Sequence, residues 1–108
     1  MKATFGEYIR KLRTDKGFTL TELAALLKLD SANLSKIETG KREFDEKRLE
    51  RLAKAFDLNI EELKTEYFAD QFAKKIYQYN CSTEALVVAE EKVKYLISRN
   101  AKQTKIKF

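Results

Sequence analysis

The sequence predicts an all-α protein, and three observations carry that prediction. Proline is absent and glycine occurs only three times in 108 residues. Alanine, leucine, lysine and glutamate, all strong helix formers, dominate the chain. Apolar residues recur three and four positions apart, the helical period, in one segment after another.

The first helix is predicted from Phe5, Ile9 and Leu12, with Tyr8 beside them. Thr4 is placed as its N-cap with Glu7 three residues later, and Gly17 as its stop. Arg10 and Arg13 fall on the polar side, as a solvated face or, for Arg13, a phosphate contact. Thr19-x-x-Glu22 is a second capping box, with Phe18 placed for a hydrophobic staple on Leu23. Leu20, Leu23, Ala24 and Leu27 then form a buried stripe about two turns long, and a break follows around Lys28-Leu29-Asp30.

Asp30 is expected to cap a third helix, Ser31 to Glu38. Only Ala32, Leu34 and Ile37 in it are apolar. So short and polar a helix does not persist alone; its neighbours must hold it while its outer face stays available. Gly40 suits the left-handed position after its end. Lys41 to Phe44 read as a loop. Asp45 is placed as cap of a fourth helix with the stripe Leu49, Leu52, Ala53 and Phe56. Asn59-x-x-Glu62 starts a fifth, with Ile60 and Leu63 inward.

Two short helices joined by a tight turn, flanked by three more within about 64 residues, match a helix-turn-helix domain. Gly17-Phe-Thr, Leu23-Ala24, Leu34-Ser-Lys-Ile-Glu-Thr-Gly-Lys-Arg42 and Leu49-x-x-Leu52-Ala53 resemble the phage-repressor (XRE, or Cro/C1) type of helix-turn-helix regulator. The resemblance covers residues 5–64. It implies a five-helix DNA-binding domain over residues 1–64 whose third helix enters the major groove. On that reading Ser31, Ala32, Asn33 and Lys36 meet base edges. Thr19, Thr21, Ser35, Lys41, Arg42 and Arg13 meet phosphates, fixing register without reading sequence. Glu38 is kept out of the site as a structural charge paired with Arg13 or Arg42. Three departures stand out: Leu20 and Ser31 occupy positions where the family often has glutamine, and Glu43-Phe44 replaces a loop that usually holds proline. Ser31 makes the base code less discriminating.

Residues 65–108 lie outside that resemblance. Phe68, Phe72, Ile76 and Tyr79 form an aromatic-rich helical stripe, and the pattern permits the fifth helix either to continue into it or to break near Thr65. Asn80 to Thr83 make a turn, with Ser82 or Thr83 as cap. Leu86, Ala89, Val93, Leu96 and Ile97 mark a last amphipathic helix, with Val87 and Val88 adding apolar surface. The extension is read as a dimerisation element, its interface formed by Phe68, Phe72, Ile76, Tyr79, Leu86, Val93, Leu96 and Ile97. Regulators of this type usually bind two half-sites, which a twofold dimer would match. Folding back onto the first domain is the other arrangement the pattern permits. The tail lysines Lys102, Lys105 and Lys107 read as a solvated end.

Composition agrees with a polyanionic partner without demanding one. The net charge is +5 and the pI about 9.3. Residues 1–64 carry 14 basic and 12 acidic side chains, so any DNA face must arise from local clustering. Histidine is absent, Cys81 is the single cysteine, and the three glycines are scattered. This argues against zinc sites, Ser-His-Asp and Cys-His catalysis and phosphate loops, and hence against an enzyme, a cofactor or a small-molecule ligand. A lone cysteine permits no intrachain disulfide, and no apolar run nears the roughly 18 residues of a membrane span. Without a signal-peptide pattern, the expectation is a cytoplasmic, sequence-specific regulator that binds double-stranded DNA as a homodimer. The rival is an antitoxin-like module whose aromatic helix binds a partner protein.

Overall fold

The computed structural model describes residues 3–103, with side-chain environments through residue 100. Among the described residues all regular structure is helical: α1 (Phe5–Lys16), α2 (Leu20–Leu27), α3 (Ser31–Glu38), α4 (Leu49–Phe56), α5 (Ile60–Gln78) and α6 (Glu84–Gln103). The tail lysines Lys105 and Lys107, and the side chain of Lys102, lie outside the described residues.

The helix boundaries follow from local chemistry. Thr4 Oγ1 accepts from the Glu7 N–H (3.1 Å) while the Glu7 carboxylate accepts from the Thr4 N–H (2.9 Å). Thr19 and Glu22 repeat this reciprocal cap at 3.1 and 2.8 Å. Gly17, at φ 81°, closes α1 in the left-handed conformation that glycine adopts without steric penalty. Lys28, also left-handed at φ 57°, ends α2. Asp30 caps α3 by accepting from the Asn33 N–H at 2.7 Å. Asn59 Oδ1 accepts from the N–H groups of both Glu61 and Glu62. One expected start shifts. Asp45 caps a single 3₁₀ turn, Glu46–Arg48, and α4 proper begins only at Leu49.

Two compact units emerge, Met1–Gln71 and Phe72–Phe108. The first contains one hydrophobic core, built from Ile9 of α1, Leu23 and Leu27 of α2, Leu34 and Ile37 of α3, Leu49 and Leu52 of α4, and Leu63 of α5, with their neighbours. Leu20 and Ile60, expected inward, pack on its edge, partly buried. The α5 helix passes position 65 without interruption. Tyr67 explains why the first unit extends past residue 64. Its ring meets Phe5 edge-on at 5.2 Å and its hydroxyl donates to the Phe44 carbonyl at 2.8 Å. Phe44 is itself buried against Phe5, so the loop after α3 is pinned by its own aromatic residue.

In the second unit, Asn80 takes a left-handed turn at φ 53° and the Cys81 N–H returns to the Ile76 carbonyl. Ser82 Oγ accepts from the Glu84 N–H to start α6. Among the described residues α6 has no buried side chain.

Gly6 lets α1 lie close against the end of α3. It is buried on α1, and a Cβ there would collide with the Ile37 carbonyl oxygen and lie 3.2 Å from that of Glu38. Gly6→Ala should therefore destabilise the domain by about 1–3 kcal/mol, although alanine is the better helix former by roughly 1 kcal/mol. Urea denaturation measures it, and a more stable variant would refute the close packing.

Candidate nucleic-acid interface

The end of α3 is clamped from inside. Arg13 Nε and Nη2 donate to the two Glu38 carboxylate oxygens at 2.7 and 3.1 Å, and Nη1 donates to the Phe18 carbonyl at 3.0 Å. The Arg13 side chain is 14% exposed and that of Glu38 4%. The hydrogen bonds to Glu38 raise the Arg13 pKa further, so it stays charged. The expectation that Arg13 meets a phosphate is thus corrected: its donor groups are engaged within the domain. Glu38, expected as a structural charge, pairs with Arg13 and not with Arg42.

Arg48 does similar work at the other end of the turn, donating to the carbonyls of Leu27 (3.0 Å) and Lys28 (3.3 Å) where α2 stops. These carbonyls have no acceptor role left inside the helix, and a neighbouring guanidinium satisfies them. Sequence reasoning missed Arg48, as it missed Gly6, Phe44 and Tyr67. Each acts through a partner far away in the chain, which local patterns do not reveal.

With its inner side held, α3 presents the other side outward. Ser31, Ala32 and Lys36 are exposed, and Asn33 and Ser35 are partly exposed, while Leu34, Ile37 and Glu38 are buried. Thr19 and Thr21 are exposed at the start of α2, and Lys41 and Arg42 are exposed in the loop after α3. The loop hangs on the helix, because the Lys36 carbonyl accepts from the N–H groups of Lys41 (2.8 Å) and Arg42 (3.3 Å). Arg42 Nη1 reaches Asn33 Oδ1 at 3.1 Å.

The α2 N-terminus is partly occupied. Glu22 takes the Thr19 N–H, and hydrogen bonds from Thr19 lower the Glu22 pKa from its ordinary value of 4.5. That cap is therefore fully formed above the ordinary carboxylate range and is lost as the pH falls through the lowered value. The first-turn N–H groups of Leu20 and Thr21 precede any intrahelical acceptor.

The expected interface residues of the C-terminal segment are exposed in the single chain: Phe68 42%, Phe72 55%, Tyr79 70%, Leu86 49%, Val93 52%, Leu96 42% and Ile97 51%. Ile76 is partly buried. Cys81 is exposed and free. No group of acidic, cysteine or histidine side chains able to hold a metal occurs among the described residues, and no described helix is long and apolar enough to cross a membrane.

Two short helices set across a tight turn, the second clamped inside and polar outside, define a helix-turn-helix domain. A helix-turn-helix family profile (HTH_3) matches residues 9–63. The chain belongs to this family, in its XRE or Cro/C1 type, a family of DNA-binding transcriptional regulators. Among solved structures it is similar to the restriction–modification controller protein C.AhdI from Aeromonas hydrophila, at 37% identity over 55% of this chain and 89% of that one, with a TM-score of 0.50. A transcriptional regulator from Listeria innocua shares the fold at 20% identity, over 98% of this chain and 100% of that one, with a TM-score of 0.53. The biofilm master regulator SinR in complex with DNA is 28% identical over 56% of this chain and 97% of that one, with a TM-score of 0.49. Comparison with curated protein sequences gives no match.

The clamp makes a quantitative prediction. Arg13→Met leaves a buried, unpaired Glu38 and should cost about 3–5 kcal/mol of folding free energy. Adding Glu38→Met should recover much of that loss, because both charges are then gone. Denaturant titration of the two single variants and the double variant measures the coupling, and strictly additive losses would contradict the clamp.

Proposed function

We propose that the protein is a sequence-specific transcriptional regulator, a repressor in the cytoplasm, that binds an operator as a homodimer. The observation that carries this reading is the two-sidedness of α3. Its inner residues are fixed by the core and by Arg13, and its outer residues all end in small or hydrogen-bonding groups. Laid in the major groove, Asn33 pairs with adenine, Lys36 with guanine, and the Ala32 methyl meets a thymine methyl, with Ser31 at the helix start. Thr19, Thr21 and Ser35 contact backbone phosphates, and Lys41 and Arg42 add positive charge beside the groove. The 37% identity to a restriction–modification controller supports a small regulator of that kind.

The second copy is assigned to the C-terminal segment. Its supporting observation is apolar density: Leu86, Val87, Val88, Val93, Leu96 and Ile97 of one helix are all 40–52% exposed in the single chain. Exposed apolar surface of this extent marks an association site. A twofold pair sets two recognition helices about 34 Å apart, one turn of DNA. A second reading draws on the aromatic face from Phe68 to Tyr79, with Phe68, Phe72 and Tyr79 exposed, as a surface for a partner protein, as in antitoxins.

Two measurements test these assignments. Asn33→Ala and Lys36→Ala should each weaken binding to the selected site by about 1–3 kcal/mol while sparing non-specific binding; unchanged affinity in both removes α3 from the site. Val93→Asp should give a folded monomer by light scattering, with operator affinity reduced at least tenfold, since half of the contacts are lost on separation. A dimer that survives the change places the interface elsewhere, and a wild-type monomer favours the partner-protein reading.

A further inference from the structure

The side-chain carboxamide of Asn33 is held at both ends. Arg42 Nη1 donates to its Oδ1 at 3.1 Å, and its Nδ2 donates to Asp30 Oδ2 at 3.1 Å. Asp30 has its other oxygen on the Asn33 backbone N–H at 2.7 Å, so its carboxylate is anchored by the helix start itself. Arg42 is delivered by the turn at Gly40 (φ 82°), which returns the Lys41 and Arg42 N–H groups to the Lys36 carbonyl.

Arginine offers only donors and an ionised aspartate only acceptors. The two partners therefore fix which end of the amide is oxygen and which is nitrogen. A carboxamide oxygen has two lone pairs and its nitrogen two protons, so each end keeps one hydrogen-bonding position for another group. One acceptor beside one donor is the pair that asparagine uses to bind the adenine edge. A freely rotating carboxamide can exchange its two ends and adapt to other edges, whereas a fixed one rejects them.

We infer that Asp30 and Arg42 are positioning residues that hold Asn33 in one orientation for base reading, so that Arg42 governs sequence preference without itself touching a base. This rests on the DNA-reading role proposed for α3. It gives Arg42 two separable contributions. Its charge attracts DNA of any sequence, and its hydrogen bond sharpens the choice made by Asn33. Fixing one rotamer-rich side chain before binding is worth about a factor of ten in equilibrium terms.

The test is selection of bound sites from random duplex DNA, run with the full wild-type chain and with Asn33→Ala, Arg42→Met and Arg42→Gln. Asn33→Ala identifies the base pair that Asn33 reads. Arg42→Met, which removes charge and donor, should relax preference at that same base pair by about tenfold. Arg42→Gln, which removes the charge but keeps a donor, should retain the preference while lowering the salt dependence of binding by about one counterion. In Asn33→Ala/Arg42→Met the preference at that position should fall no further than in Asn33→Ala. The inference is overturned if Arg42→Met weakens binding to all sequences equally and leaves the preference intact, or if Arg42→Gln loses it as fully as Arg42→Met. A wild-type chain that enriches no sequence would instead remove the DNA-reading role, and this inference with it.

Discussion

One side chain ties the helix-turn-helix together. Arg13 leaves α1, accepts no solvent role, and donates at once to Glu38 at the end of α3 and to the Phe18 carbonyl at the entrance to α2. Three helices are thereby fixed relative to one another by one planar guanidinium, whose fork suits a carboxylate better than any other cation. Gly6 makes that geometry possible, because only a residue without a Cβ lets α1 come so near the carbonyls of Ile37 and Glu38. The α3 helix has too few apolar residues to hold itself in place. Leu34 and Ile37 anchor it in the core, and the clamp ties its last residue to α1.

Much of this domain was legible in the sequence because much of it is local. The capping boxes at Thr4 and Thr19, the left-handed Gly17 and the Asp30 cap each depend on residues within a few positions, and the structure has them as expected. Helix identity and the core stripes follow from the period of apolar residues. The failures share a cause. Arg13, also read as a phosphate contact, is held inward by Glu38, one of the two partners the sequence offered, 25 residues away, and Arg48 finds the carbonyls at the end of α2 about 20 residues back. Phe44, read as loop, and Tyr67, not singled out at all, meet across 23 residues. A charge or aromatic ring looks the same in sequence whether it faces water or a distant partner. Only the fold distinguishes the two.

The outer face of α3 has the opposite character. Its residue types were readable, because Ser31, Ala32, Asn33 and Lys36 have no stripe to join. Their arrangement was not, because the Asp30–Asn33–Arg42 chain depends on how the loop after Gly40 turns back. On the proposed reading, a face with a short serine at its start and one fixed asparagine would make few base contacts. Such a reader gains discrimination by doubling, and the apolar surface left open on α6 offers the means. On the proposed reading, the C-terminal segment contributes to recognition by pairing two copies, not by reading bases.

The central claim is that the outward face of α3, presented twice with twofold symmetry, recognises DNA. Hydroxyl-radical and methylation footprinting of the wild-type protein on its best selected duplex tests this most directly. The account predicts two protected major-groove half-sites, related by symmetry, on one face of the DNA and about one helical turn apart. A single unpaired footprint would contradict the doubling, and protection confined to the minor groove or to no fixed position would contradict the role of α3.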